Sequence, residues 1–281
     1  MHRKLLLAVA AFAGIGAAAA SPKVAEPPKR IVSLNLCADQ YLLALADPGQ
    51  ITALTRFARD PDMSAGATAA AHIPMTRGSA EDVLALDPDL IVATPGRRSG
   101  TRAAIAKQKY PTLDLPSAGS YDAIVGQIRD VAKAVGHPER GEAMIRRMDA
   151  ELAALPRIHS GRLAAHYQRR GYMTGTGTLI DDLMQRVGLT NLAAKLGKPA
   201  LSQLTIEQLI AAHPDYLIVE SASDRVRDEG TEMLHHPALR DIPRIRLPQA
   251  WTVCGGPAYV EAARSLTRQA IAAQGGRFSA R

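Results

Sequence analysis

One segment of this chain is written twice. "SAEDVLALDPDLIVAT" begins at Ser79 and "TIEQLIAAHPDYLIVE" begins at Thr205; with Glu81 laid over Glu207 the offset is 126 residues, and Ala85, Pro88 and Asp89 fall on Ala211, Pro214 and Asp215. The apolar positions between these identities match in kind, which is how one supersecondary unit used in two places reads. In each copy a hydroxyl residue can cap the first turn of a short helix, and a glutamate follows two residues later where the helix dipole favours it. The proline ends the helix and the aspartate after it starts a turn. Four apolar residues without alternation come next, Leu90 to Ala93 and Tyr216 to Val219, the pattern of a strand covered on both faces. Each copy is therefore an αβ step in a parallel sheet.

The rest of the chain agrees. A strand at Ile31 to Leu34, a helix from about Ala38 to Leu45, a strand at Ile51 to Thr55, the first repeat, a helix from Arg98 to Gln108 and a strand at Thr112 to Leu115 alternate as a parallel sheet between helices. From Tyr121 to Leu155 the pattern is helical, broken only at "GHPER" (136–140). Ala143, Met144, Met148, Leu152 and Leu155 recur at helical spacing. The stretch from Pro138 to Leu155 is long enough, at about 27 Å, to bridge two small domains. Alternation then restarts: a strand at Arg162 to Tyr167, a "GTGT" turn, a helix from Leu179 to Val187, the second repeat, a strand near Arg244 to Leu247 and a C-terminal helix. The expected fold is α/β, with two Rossmann-like lobes built on mostly parallel sheets and joined by a single long helix. Its expected divisions are a first lobe over 21–120, a helical segment over 121–158 with the strut at about 138–155, and a second lobe over 159–281.

Residues 1–20, "MHRKLLLAVAAFAGIGAAAA", have a basic start, an apolar centre and small residues before Ser21. They read as a secretory signal peptide. The formal charge of +7 falls to +5 once Arg3 and Lys4 leave with the leader. That excess is small and dispersed, and no basic stripe interleaved with aromatics marks a nucleic-acid surface. A soluble, monomeric periplasmic protein is expected. The two cysteines, Cys37 and Cys254, enter an oxidising compartment. A disulfide, two free thiols and contact with a ligand or metal are all open to them. "GTGT" is too short for a nucleotide fingerprint, and no HExxH or GxSxG occurs, so the composition of motifs points away from an enzyme.

"RIVSLNLCADQYLLALADPGQITALT" (30–55), "EDVLALDPDLIVA" (81–93), "LIDDLMQRVGLTNLA" (179–193) and "LTIEQLIAAHPDYLIV" (204–219), in this order, resemble the periplasmic solute-binding proteins that serve importers of vitamin B12, ferric siderophores and haem. The resemblance covers nearly all of the mature chain and looks closest to the cobalamin branch. It implies a bilobed, helix-linked carrier with no chemistry and no intrinsic cofactor of its own. The cargo would be a bulky metal chelate, a cobalamin or related corrinoid first and a ferric siderophore or haem as the alternative. The partner would be an inner-membrane ABC permease with its ATPase subunits, docked through one surface glutamate per lobe, by position Glu81 and Glu207. An envelope sensor or scaffold is the rival on the same fold.

Ligands of open α/β sheets meet the loops beyond the carboxyl ends of the strands. This selects "NLC" at 35–37 with Asn35, Leu36 and Cys37, then Arg56 and Phe57, "PGRR" with Arg97, and Ser117 to Gly119 in the first lobe. In the second it selects Tyr167 to Tyr172, Glu220 to Ser223 with Ser221, and "QAWTVCGG" with Trp251 and Cys254. Arginines offer planar donors to carboxylates and hydroxamates, and the single tryptophan offers rigid apolar area to a flat ligand. Tyr167 and Tyr172 are candidate stacking or hydroxyl contacts. The metal set is left unknown: His72 and Tyr172 are the residues to consider as axial ligands, whereas His235 and His236 precede a proline at a helix end.

Overall fold

The computed structural model describes residues 26–95, 100–158, 161–226 and 228–278; the leader and Arg97 lie outside them. The first lobe runs β1 (Ile31–Ser33), α1 (Leu36–Leu45), β2 (Ile51–Thr55), β3 (Met75–Thr76), α2 (Ala80–Ala85), β4 (Leu90–Ala93), α3 (Gly100–Lys107) and β5 (Thr112–Asp114). Two helices follow, α4 (Tyr121–Ala134) and α5 (Pro138–Ala153). The second lobe runs β6 (Arg162–His166), β7 (Tyr172–Thr174), α6 (Leu179–Val187), β8 (Leu189–Asn191), α7 (Leu192–Lys195), β9 (Leu201–Gln203), α8 (Ile206–Ala211), β10 (Tyr216–Glu220), α9 (Glu229–Glu232), β11 (Arg244–Leu247) and α10 (Tyr259–Phe278).

The first sheet has the order β3-β2-β1-β4-β5 and the second β11-β10-β6-β8, with every pairing parallel. Reversed in listing, the second is β8-β6-β10-β11, the order of β2-β1-β4-β5. The repeated strands β4 and β10 thus occupy the same place, each beside the opening strand of its lobe. Ile31 pairs with Leu90 as Ala164 pairs with Tyr216. The aspartate of each repeat fixes that neighbour: Asp89 accepts from the backbone N–H groups of Lys29 and Arg30 at 2.8 Å, and Asp215 accepts from Leu163 N–H at 2.9 Å and Arg162 at 2.6 Å. Even the left-handed residue before the proline recurs, Asp87 at φ 42° and His213 at φ 49°. Ser79 accepts from Asp82 N–H and Thr205 from Gln208 N–H, the caps foreseen for both helices.

The strut expected at Pro138–Leu155 is α5, and α4 lies antiparallel beside it. Gly141 permits this contact: a Cβ there would stand 2.6 Å from the methyl of Ala132. At its start α5 grips the first lobe, where Arg140 donates to Leu45 O at 2.6 Å and pairs with Asp47 at 2.7 Å. At its end Glu151 pairs with Arg264 of α10. One continuous apolar core, including Tyr41, Leu42, Ile128, Met148, Leu183 and Leu266, runs through α1, α4, α5, α6 and α10 and so belongs to both lobes. The outer face of the first sheet carries a small separate cluster, and that of the second a larger one. The two-stranded pair of β7 and β9 is antiparallel and has no counterpart among the described residues of the first lobe.

Candidate functional site

The lobes meet at a seam built from loops. Asn35 caps α1, its Oδ1 accepting from Ala38 N–H at 2.9 Å, and so points the first turn of the helix at the second lobe. From that turn Cys37 bonds to Cys254, with Cα atoms 5.4 Å apart. The three readings open to the cysteines reduce to the disulfide, and it joins the lobes. Beside it the Tyr41 hydroxyl donates to Gly255 O at 2.8 Å. Gly255 sits so close to Ala118 that any Cβ would collide with the Ala118 carbonyl. A cavity of about 420 Å³ opens at this seam, lined by Cys37, Thr94, Pro116 to Gly119, Gly177 to Leu179 and Thr252 to Gly255.

Beneath the first-lobe side lies Asp39, fully buried on α1. It accepts from Thr55 N–H at 3.1 Å and from the Thr55 hydroxyl at 2.5 Å. Desolvation pushes its carboxyl up to about 6, against the lowering effect of its hydrogen bonds with Ser33 and Thr55. These contacts tie α1 to β2, and β2 carries the first-lobe wall of the cleft.

That wall encloses a second cavity, of about 380 Å³, at the carboxyl ends of β1, β2 and β3. Asn35, Leu36, Arg56, Phe57, Met63 and Arg77 line it. The Arg56 guanidinium lies 4.7 Å over the Phe57 ring, which is 40% exposed. Neither Arg56 nor Arg77 has an acidic partner among the described residues, and Asn35 Nδ2 is buried without an acceptor. The facing wall, at the ends of β6 and β10, holds a cavity of about 180 Å³ lined by Gln168, Arg169, Glu220, Ser223, Thr231 and Gln249 among others.

The candidates divide accordingly. Asn35, Leu36, Arg56 and Phe57 come together on one wall, and Cys37 and Cys254 at the seam. Tyr167 lines the second-lobe cavity. It shares the inward face of Leu163 and Ala165, is 0% exposed, and donates its hydroxyl to Leu204 O at 2.8 Å, which makes it a core residue of the second lobe. Tyr172 is half-exposed on β7 opposite Gln203. Ser221 opens the turn after β10, and its neighbour Glu220 takes the place at the cavity. Trp251 packs against the shared core while Thr252 and Val253 reach the seam. Arg77, Arg169 and Glu220 were not singled out. The loops of the last two were, but Arg77 follows a two-residue strand too short to leave a pattern.

Glu81 and Glu207 are both exposed in the first turns of α2 and α8. The backbone N–H of Glu81 and the Ser79 hydroxyl hold the first carboxylate below its usual range; the Thr205 hydroxyl and the backbone N–H of Glu207 do the same for the second. Among the described residues no three His, Cys, Asp or Glu side chains are grouped to hold a metal ion.

Residues 31–246 match the model of a protein family described as periplasmic binding protein. The chain belongs to that family. Its members are non-catalytic carriers of the periplasm, in agreement with the location and the absence of catalysis read from the sequence. The chain is 24% identical over 254 residues to a vitamin B12-binding protein of Pectobacterium atrosepticum, covering 86% of this chain and 88% of that one. It is 24% identical over 205 residues to a cobalamin-binding protein of Halobacterium salinarum, a match over 71% of this chain that spans only 56% of that relative's length. Among solved structures it resembles the periplasmic heme-binding protein RhuT of Roseiflexus sp. RS-1 in apo form, at 28% identity and a TM-score of 0.69 over 87% of this chain and 98% of that one.

Proposed function

We propose that the chain is the substrate-binding component of an ABC importer and that its cargo is an iron chelate, a ferric siderophore or haem, held between the lobes. The observation that carries this reading is the pair Arg56 and Arg77 on the first-lobe wall, two guanidiniums without acidic partners among the described residues. Planar donors of this kind match the carboxylates of haem and the oxygen donors of ferric chelates. The rim of a corrinoid, made of neutral amides, makes less use of them. Phe57 beside Arg56 adds exposed aromatic area for a flat or bulky ligand. The likeness to the heme-binding RhuT supports the same choice. A corrinoid is the second reading, favoured by the vitamin B12-binding relative.

The carrier would deliver its cargo to an inner-membrane permease with ATPase subunits. Glu81 and Glu207 would dock it, one carboxylate per lobe at equivalent positions, as a two-fold partner requires.

Titration calorimetry of the mature protein with haem, a ferric hydroxamate chelate and cyanocobalamin tests the cargo. One-to-one binding of an iron chelate, weakened about tenfold in Arg56→Ala/Arg77→Ala, is the expected result. Saturable binding of cyanocobalamin alone would replace the iron reading with the corrinoid one. For docking, Glu81→Lys/Glu207→Lys should abolish uptake while leaving ligand affinity unchanged; weaker ligand binding in that variant would defeat the docking role.

A further inference from the structure

The second-lobe cavity differs chemically from the arginine wall it faces. In the order β8-β6-β10-β11 the chain proceeds from β6 to β8 on one side and from β10 to β11 on the other. The crevice at such a reversal, beyond the carboxyl ends of β6 and β10, is where open α/β sheets receive ligands. Glu220 is the last residue of β10 and stands in that crevice, with Gln168 and Arg169 from the loop after β6.

Several donors around it are engaged elsewhere, and the amide of Gln249, at the same cavity, makes no hydrogen bond to Glu220. Gln168 Nε2 donates to the Thr174 hydroxyl at 3.0 Å, Arg169 pairs with Asp228, the Ser223 hydroxyl donates to the backbone carbonyl of Glu220 at 2.6 Å, and the Thr231 hydroxyl donates to Asp228 O at 2.9 Å. For the Glu220 carboxylate no hydrogen-bond donor is present among the described residues. Desolvation raises its pKa, with the guanidinium of Arg169 opposing in part. A half-buried acceptor that its own fold leaves unsatisfied is suited to receive a donor from outside.

We infer that Glu220 forms a donor-binding subsite, accepting a protonated amine of the cargo at the second-lobe wall while the first-lobe arginines hold the cargo's oxygen atoms. This rests on the iron-chelate reading above. It gives the cleft a direction, since a chelate with a pendant ammonium group can satisfy both walls in only one orientation.

Two ferric tris-hydroxamate chelates that differ only in a pendant group, a primary ammonium in one and a methyl in the other, test the subsite by calorimetry. The protein should bind the ammonium chelate about tenfold more tightly, the scale of one charge-assisted hydrogen bond. Glu220→Gln, which keeps the shape of the side chain, should reduce the ratio of ammonium-chelate to methyl-chelate affinity, and Glu220→Ala should bring that ratio to about one. Equal affinities in the unaltered protein, or a preference that survives in both variants, would overturn the subsite and leave the carrier reading intact. Failure of the unaltered protein to bind either chelate would overturn the ferric hydroxamate reading and the subsite with it.

Discussion

Laid over each other, the two copies of the repeat agree in every connection and differ in what they cover. In both, a capped helix, a left-handed residue before proline and an aspartate lead into the strand beside the opening strand of the lobe. Under α2 the outer cluster consists of Val32, Val83, Ile91 and Ile105, whereas under α8 twelve buried residues gather, among them Leu209, Leu217, Tyr167 and Leu239. The antiparallel pair of β7 and β9 adds Met173 to that second cluster. The repeated motif therefore specifies how the chain is routed, and the quantity of core is decided by what each lobe adds around it. The first lobe should be the weaker of the two, and its link to the second should conceal the fact.

The largest test breaks that link. Cys37→Ser/Cys254→Ser removes a bridge between residues 217 apart, which should cost about 4–5 kcal/mol of stability. Calorimetric unfolding should then divide into two transitions with the first lobe melting earlier; one undivided transition would mean that the shared core alone couples the lobes. Next in size, Leu209→Ala should destabilise by about 3 kcal/mol and Val83→Ala by about 1–2 kcal/mol, as measured by denaturant unfolding. Equal costs would contradict the asymmetry of the two outer cores.

The lobes should also respond oppositely to acid. His166, aligned on β6 with Ser33 on β1, is buried, and desolvation holds its imidazole down at about 4. Between about pH 4 and 6.5 the unfolded chain binds a proton at this histidine and the native chain does not, so its contribution to stability rises with pH. Asp39 is held up at about 6, so between about pH 4 and 6 the native chain keeps a proton that the unfolded chain has lost, and its contribution falls with pH. Each effect is on the order of 2–3 kcal/mol across its window. Stability curves of Asp39→Asn should therefore steepen upward through pH 4–6, and those of His166→Gln should slope downward. Parallel curves would show that neither group is as buried as described. The smallest difference lies in the two aspartates. Asp215→Ala, which also releases Arg162, should cost about 2 kcal/mol, and Asp89→Ala about 1 kcal/mol, by the same denaturant measurement.

Regular elements were readable in the sequence where apolar runs were bounded by strong turn residues. The strand Ile51–Thr55, the helix Leu179–Val187 and the strand Arg244–Leu247 have the limits their patterns suggest. The strands Met75–Thr76, Tyr172–Thr174 and Leu201–Gln203 were not readable, because two or three residues of mixed polarity contain no period. The site was legible at the level of loops, since strand direction alone decides which loops meet the cleft. Individual side chains needed more. Tyr167, in parity with Leu163 and Ala165, packs into the second-lobe core and lines the cavity there as well. For Glu220 the sequence gives the loop alone, because only the surrounding hydrogen bonds reveal that its carboxylate has no donor among the described residues.

The Cys37–Cys254 bond closes the stretch between two residues 217 apart into a covalent ring. The two cysteines belong to different lobes, so the ring can be sealed only after both lobes have folded far enough to meet. Oxidation is thus a late check on assembly. Once it is complete, a single protease cut in any loop between the two cysteines leaves one covalent molecule, with both halves of the binding cleft still attached to each other.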